Sequence, residues 1–217
     1  MRVGAPEWPE RRLWLWRLLY PPIRALALFL APVRFVGAER LPPSGGFILI
    51  ANHISWMDPP WIEFALGRAI RFMAKQELFE LPILGFLLRG IGCFPVRRGE
   101  ADREAMATAL RVLAAGHAVG FFPEGHRSPN AALLRAHPGI VLLARRSAAP
   151  LVPLAITGSD RARLGRFWRR DITIRVGEPF RVTDLPESAG RDREAVADAV
   201  MRRIAALLPS DMRGAYG

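Results

Sequence analysis

Apolar and polar positions along the 217-residue chain follow two alternating rhythms. Phe47 to Ala51, Ala118 to Phe122 and Leu151 to Ile156 are short apolar runs, the pattern of strands buried on both faces. Arg71 to Ala74 and Ile172 to Val176 are two further strand candidates. Between them, Pro59 to Leu66, Ala101 to Ala115, Gly139 to Arg146 and Arg193 to Leu208 repeat apolar residues at helical spacing, with Ala-rich or charged outer faces. Strands alternating with helices predict an α/β fold: a mixed, mainly parallel sheet covered by helices. The Pro- and Gly-rich joints, such as Leu41 to Gly46, have the length of loops, so residues 33–217 read as one domain.

Residues 1–32 have a different pattern. Arg11 to Tyr20 carries Trp14, Trp16, Tyr20 and several leucines among arginines, Pro21-Pro22 follows, and Arg24 flanks a second apolar piece. This predicts two amphipathic helices broken at the proline pair, with rings and aliphatic chains suited to a headgroup boundary. An ordinary first helix packed on the core fits the same stripe. The apolar stretch Ala25 to Val33, between Arg24 and Arg34, is too short to span a bilayer, which needs about 20 apolar residues. The arginines interspersed before it do not match a signal peptide.

Composition narrows the partners. A chain that is 51% hydrophobic and 24% charged buries enough apolar surface to fold, which excludes an intrinsically disordered protein. Lys plus Arg number 31 against 20 Asp plus Glu, a net charge of +11, and Lys75 is the sole lysine. Arginine forks match phosphates and carboxylates, so the expected partners are anionic: nucleic acid, an anionic lipid surface or a phosphorylated substrate. The run Arg161 to Arg170, with Phe167 and Trp168, suits either nucleic acid or lipid headgroups. A single cysteine, Cys93, rules out an intramolecular disulfide and a thiolate zinc cage, which fits a reducing compartment such as the cytoplasm.

Four segments carry candidate chemistry. In Asn52-His53-Ile54-Ser55-Trp56-Met57-Asp58-Pro59, His53 and Asp58 are too far apart in sequence to face each other on one helix. Asp58 before Pro59, however, reads as a helix N-cap, and a strand–loop–helix lets His53 fold back to the carboxylate. Asp58 would then hold one ring nitrogen and leave the other as a base near neutral pH. A cap and an unrelated loop histidine would leave the same trace. The second segment, Phe122-Pro123-Glu124-Gly125-His126-Arg127-Ser128, follows a strand, where open α/β sheets bind ligands, and Arg127 offers a phosphate fork. The third, Gly92 to Gly99, contains Arg97-Arg98, and the fourth is Val152-Pro153.

In this order the four segments resemble the glycerolipid acyltransferase superfamily, most closely the 1-acylglycerol-3-phosphate acyltransferases, from about Val36 to Gly158. The stretch Phe72 to Phe79 with Pro82 and Gly85 is similar to the family's segment between its first two motifs. The resemblance implies that His53 deprotonates an acceptor hydroxyl, that Asp58 orients its imidazole, and that the oxygen attacks an acyl thioester. It places Arg98, Glu124, Gly125 and Arg127 at the phosphorylated acceptor, with Lys75 assisting. It further implies an acyl-CoA or acyl-carrier-protein donor, no bound cofactor and no metal. The expected partners are a lysophospholipid acceptor and an anionic membrane surface, with no specific nucleic acid, at the cytoplasmic face of the cell membrane as a peripheral or monotopic protein. An acyl chain needs an apolar channel, which Phe79 to Phe86 with Leu87 and Leu88 could line, although packing of these residues in the core is the favoured reading.

Three positions depart from the family pattern: His126 stands where Thr is usual, Arg97 where an acidic residue is frequent, and Ala136-His137 where an aromatic and a lysine are frequent. They bear on which acceptor is used. The expected reaction makes phosphatidic acid from 1-acylglycerol 3-phosphate. The alternatives are another lysolipid acceptor, or a catalytically silent protein that binds lipid or nucleic acid.

Overall fold

The computed structural model describes residues 13–30, 32–67, 69–97, 102–160, 172–190 and 192–217. Among these, seven strands form one sheet: β1 (Val33–Val36), β2 (Ile48–Ala51), β3 (Ile70–Lys75), β4 (Phe94–Val96), β5 (Ala118–Phe121), β6 (Leu151–Thr157) and β7 (Ile172–Val176). Their order is β1-β7-β6-β2-β5-β3-β4. Every pairing is parallel except β6 with β7, so the mixed, mostly parallel α/β sheet expected from the sequence is present. β1, β4 and the helix α3 described below were not legible as elements: β1 and β4 are too short to show a period, and α3 is apolar nearly all round.

Six α-helices among the described residues cover the sheet in two layers: α1 (Leu13–Leu30), α2 (Asp58–Leu66), α3 (Pro82–Gly90), α4 (Arg103–Ala114), α5 (Gly139–Ser147) and α6 (Arg193–Ala205). Alternation along β2 sends Ile48 and Ile50 to the layer of α4, α5 and α6, and Phe47, Leu49 and Ala51 to the layer of α1, α2 and α3. Both sets are fully buried, which is why the run carries no polar position. Asp102 caps α4, accepting from the Glu104 and Ala105 amides at 3.0 Å, and Asp192 caps α6 in the same way.

The N-terminal segment corrects the expectation of two helices. α1 runs through Pro21 and Pro22 without a break. It is held to α2 on both sides of the pair: the Tyr20 hydroxyl donates to the Glu63 carbonyl at 3.0 Å and Arg24 Nε donates to the Phe64 carbonyl at 2.6 Å. Proline φ is itself helical, so tertiary contacts of this kind offset the two missing helix bonds. Residues 1–12 of the expected segment and the basic run Arg161–Arg170 lie outside the described residues. No helix among the described residues is long and apolar enough to cross a membrane.

Candidate active site

The parallel strands β2, β3, β4, β5 and β6 all point their carboxyl ends to one edge, and the candidate residues collect there. At the end of β2, Asn52 acts as a further rung of the ladder: its amide donates to the Ile156 carbonyl at 2.9 Å and accepts from the Ile156 amide at 2.8 Å. That pins the start of the loop. His53 comes next, and its Nδ1 lies 2.8 Å from Asp58 Oδ2.

Asp58 is the first residue of α2 rather than its cap, a position held by Met57. The reason is that its carboxylate turns back into the loop. Oδ2 also accepts from the Ile54 amide at 2.7 Å and the Ser55 amide at 2.8 Å, while Oδ1 accepts from the Ser159 hydroxyl at 2.5 Å. With all its partners donating, Asp58 is the acceptor, so Nδ1 carries the imidazole proton and Nε2 presents a lone pair. Both Asp58 and Ser159 are 0% exposed, and His53 is 6% exposed. The imidazole stacks on Phe122 with ring centroids 4.1 Å apart, and Phe122 stacks on Phe72 at 5.5 Å. A loop closed around one carboxylate, as here, can hold a general base in a fixed direction.

Glu124 braces this loop. It is fully buried, with Oε1 accepting from the His53 amide at 2.7 Å and Oε2 from the Leu134 amide at 2.9 Å. Burial pushes its carboxyl up to about 7, the two amides oppose this, and the Asp58 charge adds to it. The Ser128 amide donates to the His53 carbonyl at 2.8 Å, so the backbone of His53 is gripped on both sides by the Phe122–Ser128 turn. Gly125 sits at φ +72°, where a Cβ would come within 2.6 Å of the His137 ring. Glycine is needed there for conformation and for space.

The remaining expected residues lie farther out. Arg127 and His126 are exposed, and Lys75 is exposed and paired with Glu77 at 2.9 Å. Arg98 lies outside the described residues. The segment Phe79 to Leu88 does not form a channel: Ile83, Leu84, Phe86 and Leu87 are exposed on α3. A cavity of about 840 Å³ lies instead on the other face of the sheet, with Met73, Met106, Phe121 and Leu142 in its wall and Arg97, Arg103 and Arg146 lining it too. Phe122 belongs to that wall and to the His53 stack, so one ring joins cavity and base. The sequence reading missed Ser159, whose only signal is its place after Gly158 at the end of β6. Among the described residues no cluster of three or more His, Cys, Asp or Glu side chains could hold a metal ion.

Comparison with known proteins bears on this edge of the sheet. The family model described as Acyltransferase matches residues 32–157, which span β1 to β6 and with them His53, Asp58 and Glu124. The chain belongs to the acyltransferase family. This acyltransferase is 31% identical over 174 residues to the 1-acyl-sn-glycerol-3-phosphate acyltransferase of Bacillus subtilis, covering 79% of the chain and 86% of that relative. It is 27% identical over 192 residues to the protein of the same name from Streptococcus pneumoniae, covering 85% and 71%. The crystal structure of the 1-acyl-sn-glycerophosphate (LPA) acyltransferase PlsC from Thermotoga maritima has the same fold, with a TM-score of 0.68 at 24% identity over 90% of this chain and 82% of that one.

Proposed function

We propose that this enzyme transfers an acyl chain from a thioester to the free hydroxyl of 1-acylglycerol 3-phosphate, giving phosphatidic acid. The observation that carries the reading is the His53–Asp58 pair, with Nδ1 tied to a buried carboxylate. Nε2 takes the proton of the acceptor hydroxyl as its oxygen attacks the thioester carbonyl, and Asp58 stabilises the imidazolium that forms. The tetrahedral intermediate collapses, the C–S bond breaks, and the imidazolium returns its proton to the leaving thiolate. A thioester is already activated, so no covalent enzyme intermediate is needed.

The donor is acyl-CoA or acyl-carrier protein, and the reaction uses no metal. Arg127, Arg98 and Lys75 supply cations for the acceptor phosphate, while Glu124 and Gly125 shape the turn that presents Arg127. The cavity behind Phe122, with its apolar wall and size within the range of ligand sites, takes the acyl chain. Residues 1–32 seat the enzyme on the cytoplasmic face of an anionic membrane, and residues 33–217 form the catalytic domain. The test is free-thiol release from a long-chain acyl-CoA on adding lysophosphatidic acid in mixed micelles, beside His53→Ala. Release by the wild type alone supports the reading. Release only with another lysolipid reassigns the acceptor, and silence with both donors removes the enzymatic reading.

A further inference from the structure

Apart from Val36 in β1, every exposed large apolar side chain among the described residues lies in one helical layer or in the loops that join it to the sheet. On α1 these include Leu18, Leu26 and Phe29, at 65%, 58% and 74% exposure. The larger concentration is on α3 and the residue before it: Leu81, Ile83, Leu84, Phe86 and Leu87. Trp56, 65% exposed, projects from the catalytic loop between His53 and Asp58. The layer of α4, α5 and α6 exposes no such residue. Leu88 and Ile91 turn inward to the core that Ala27 of α1 also packs on, so α3 is a seated helix whose outer side chains are exposed.

The charge around this face is one-sided. α1 and α3 contain no carboxylate, and the two acids of α2, Asp58 and Glu63, are buried. Glu77 is paired with Lys75, which leaves Glu80 as the acid nearest the start of α3, while Arg89 lies at its end with its guanidinium over the Phe79 ring. A concentration of exposed apolar side chains of this kind marks an interaction site. Aliphatic chains, a tryptophan and arginines in one layer, with the exposed acids next to α3 being Glu77 and Glu80 before its start, match an anionic lipid interface.

We infer that α3 is a second membrane-seating element, inserting its outer face into the bilayer together with Trp56, so that the catalytic loop is held against the lipid surface independently of α1. The inference rests on the proposed lipid substrate and is read separately from it. The probe is the full chain bearing NBD at Ile83→Cys, at Phe29→Cys on α1 or at Arg111→Cys on α4, mixed with vesicles of phosphatidylglycerol and phosphatidylcholine. The one native thiol, Cys93, is buried. Blue-shifted emission at positions 83 and 29, quenched by spin-labelled lipid, with position 111 unchanged, is the expected result. Immersion at position 29 alone would overturn α3 seating and leave the function standing. A shift at 83 without vesicles that follows protein concentration would assign the face to a second copy of this chain and overturn the inference. In a second arm, Ile83→Asp with Leu87→Asp lowers turnover of lysophosphatidic acid embedded in vesicles on the order of 30-fold, because two side chains lose their apolar burial. Turnover of a short-chain, fully dissolved lysophosphatidic acid stays at the wild-type level. Equal loss on both acceptors would show a packing defect and refute seating; loss of neither would refute it as well. Silence of the wild type on both would instead remove the function on which the inference rests.

Discussion

Asp58→Asn separates the loop-fixing bonds that the structure gives to one carboxylate from the support of a charged imidazole that the proposed mechanism asks of it. Because Oδ2 already accepts from the Ile54 and Ser55 amides, the amide oxygen of Asn is directed to that position and still accepts the Nδ1 proton of His53. The NH2 group then faces the Ser159 hydroxyl, which can turn to accept. The tautomer survives, so what is lost is the negative charge beside the imidazolium. At about 4 Å between charge centres and an effective dielectric constant near 20, that attraction is about 4 kcal/mol. At 1.36 kcal/mol per tenfold, kcat should fall about a thousandfold with KM for lysophosphatidic acid little changed. The weaker neutral bonds cost stability of about 2 kcal/mol, a Tm drop of roughly 4–8 °C that leaves the protein folded at 25 °C. The assay is thiol release under saturating acceptor with a melting curve on the same sample. Activity within tenfold of wild type would refute the argument, because Asp58 would then be a loop brace whose charge does nothing for the reaction.

Other substitutions probe the same construction. Ser159→Ala removes the donor to Asp58 Oδ1 and should cost about 1.5–3 kcal/mol in urea unfolding, with Ser159→Thr restoring most of it. Gly125→Ala meets both the left-handed φ and the His137 ring, so it should lower Tm, and adding His137→Ala should recover the steric part but not the backbone part. Leu142→Trp fills part of the cavity and should shift donor preference to shorter acyl chains, read from relative kcat/KM across a chain-length series. Burial pushes the Glu63 carboxyl from 4.5 up to about 8, against the opposing pull of Arg71. A value raised by folding means stability that is complete below about pH 4.5 and is lost as the pH rises through 8. The loss amounts to at most about 5 kcal/mol. Unfolding free energy should therefore decline from pH 5 to 8, and Glu63→Gln should flatten that decline.

The pairing of His53 with Asp58 was legible as a possibility because a strand ending at Ala51 and a helix starting at Asp58 leave a short loop in which the ring can fold back to the carboxylate. Spacing allowed that arrangement beside an unrelated cap and loop histidine, and the fold decided between them. Glu124 was legible as a residue of interest but not in its task. Whether a carboxylate faces a ligand or grips the amides of His53 and Leu134 depends on how the turn after β5 packs against the loop after β2, and these are 71 residues apart for His53. Ser159 was invisible for the same reason, since its partner Asp58 is 101 residues away.

The apolar runs by themselves determined a helix-covered, mainly parallel sheet, because strands buried on both faces have no room for polar side chains. Composition likewise determined a strongly basic, arginine-rich protein. Tertiary structure alone decided that α1 continues through Pro21 and Pro22, since only its contacts with α2 offset the lost helix bonds. It also decided which apolar helix is core and which is surface. The residues of α3 read as buried by composition, yet Ile83, Leu84, Phe86 and Leu87 are exposed. Hydrophobicity states what a side chain avoids, and only the packing of the whole chain states whether anything is there to shelter it.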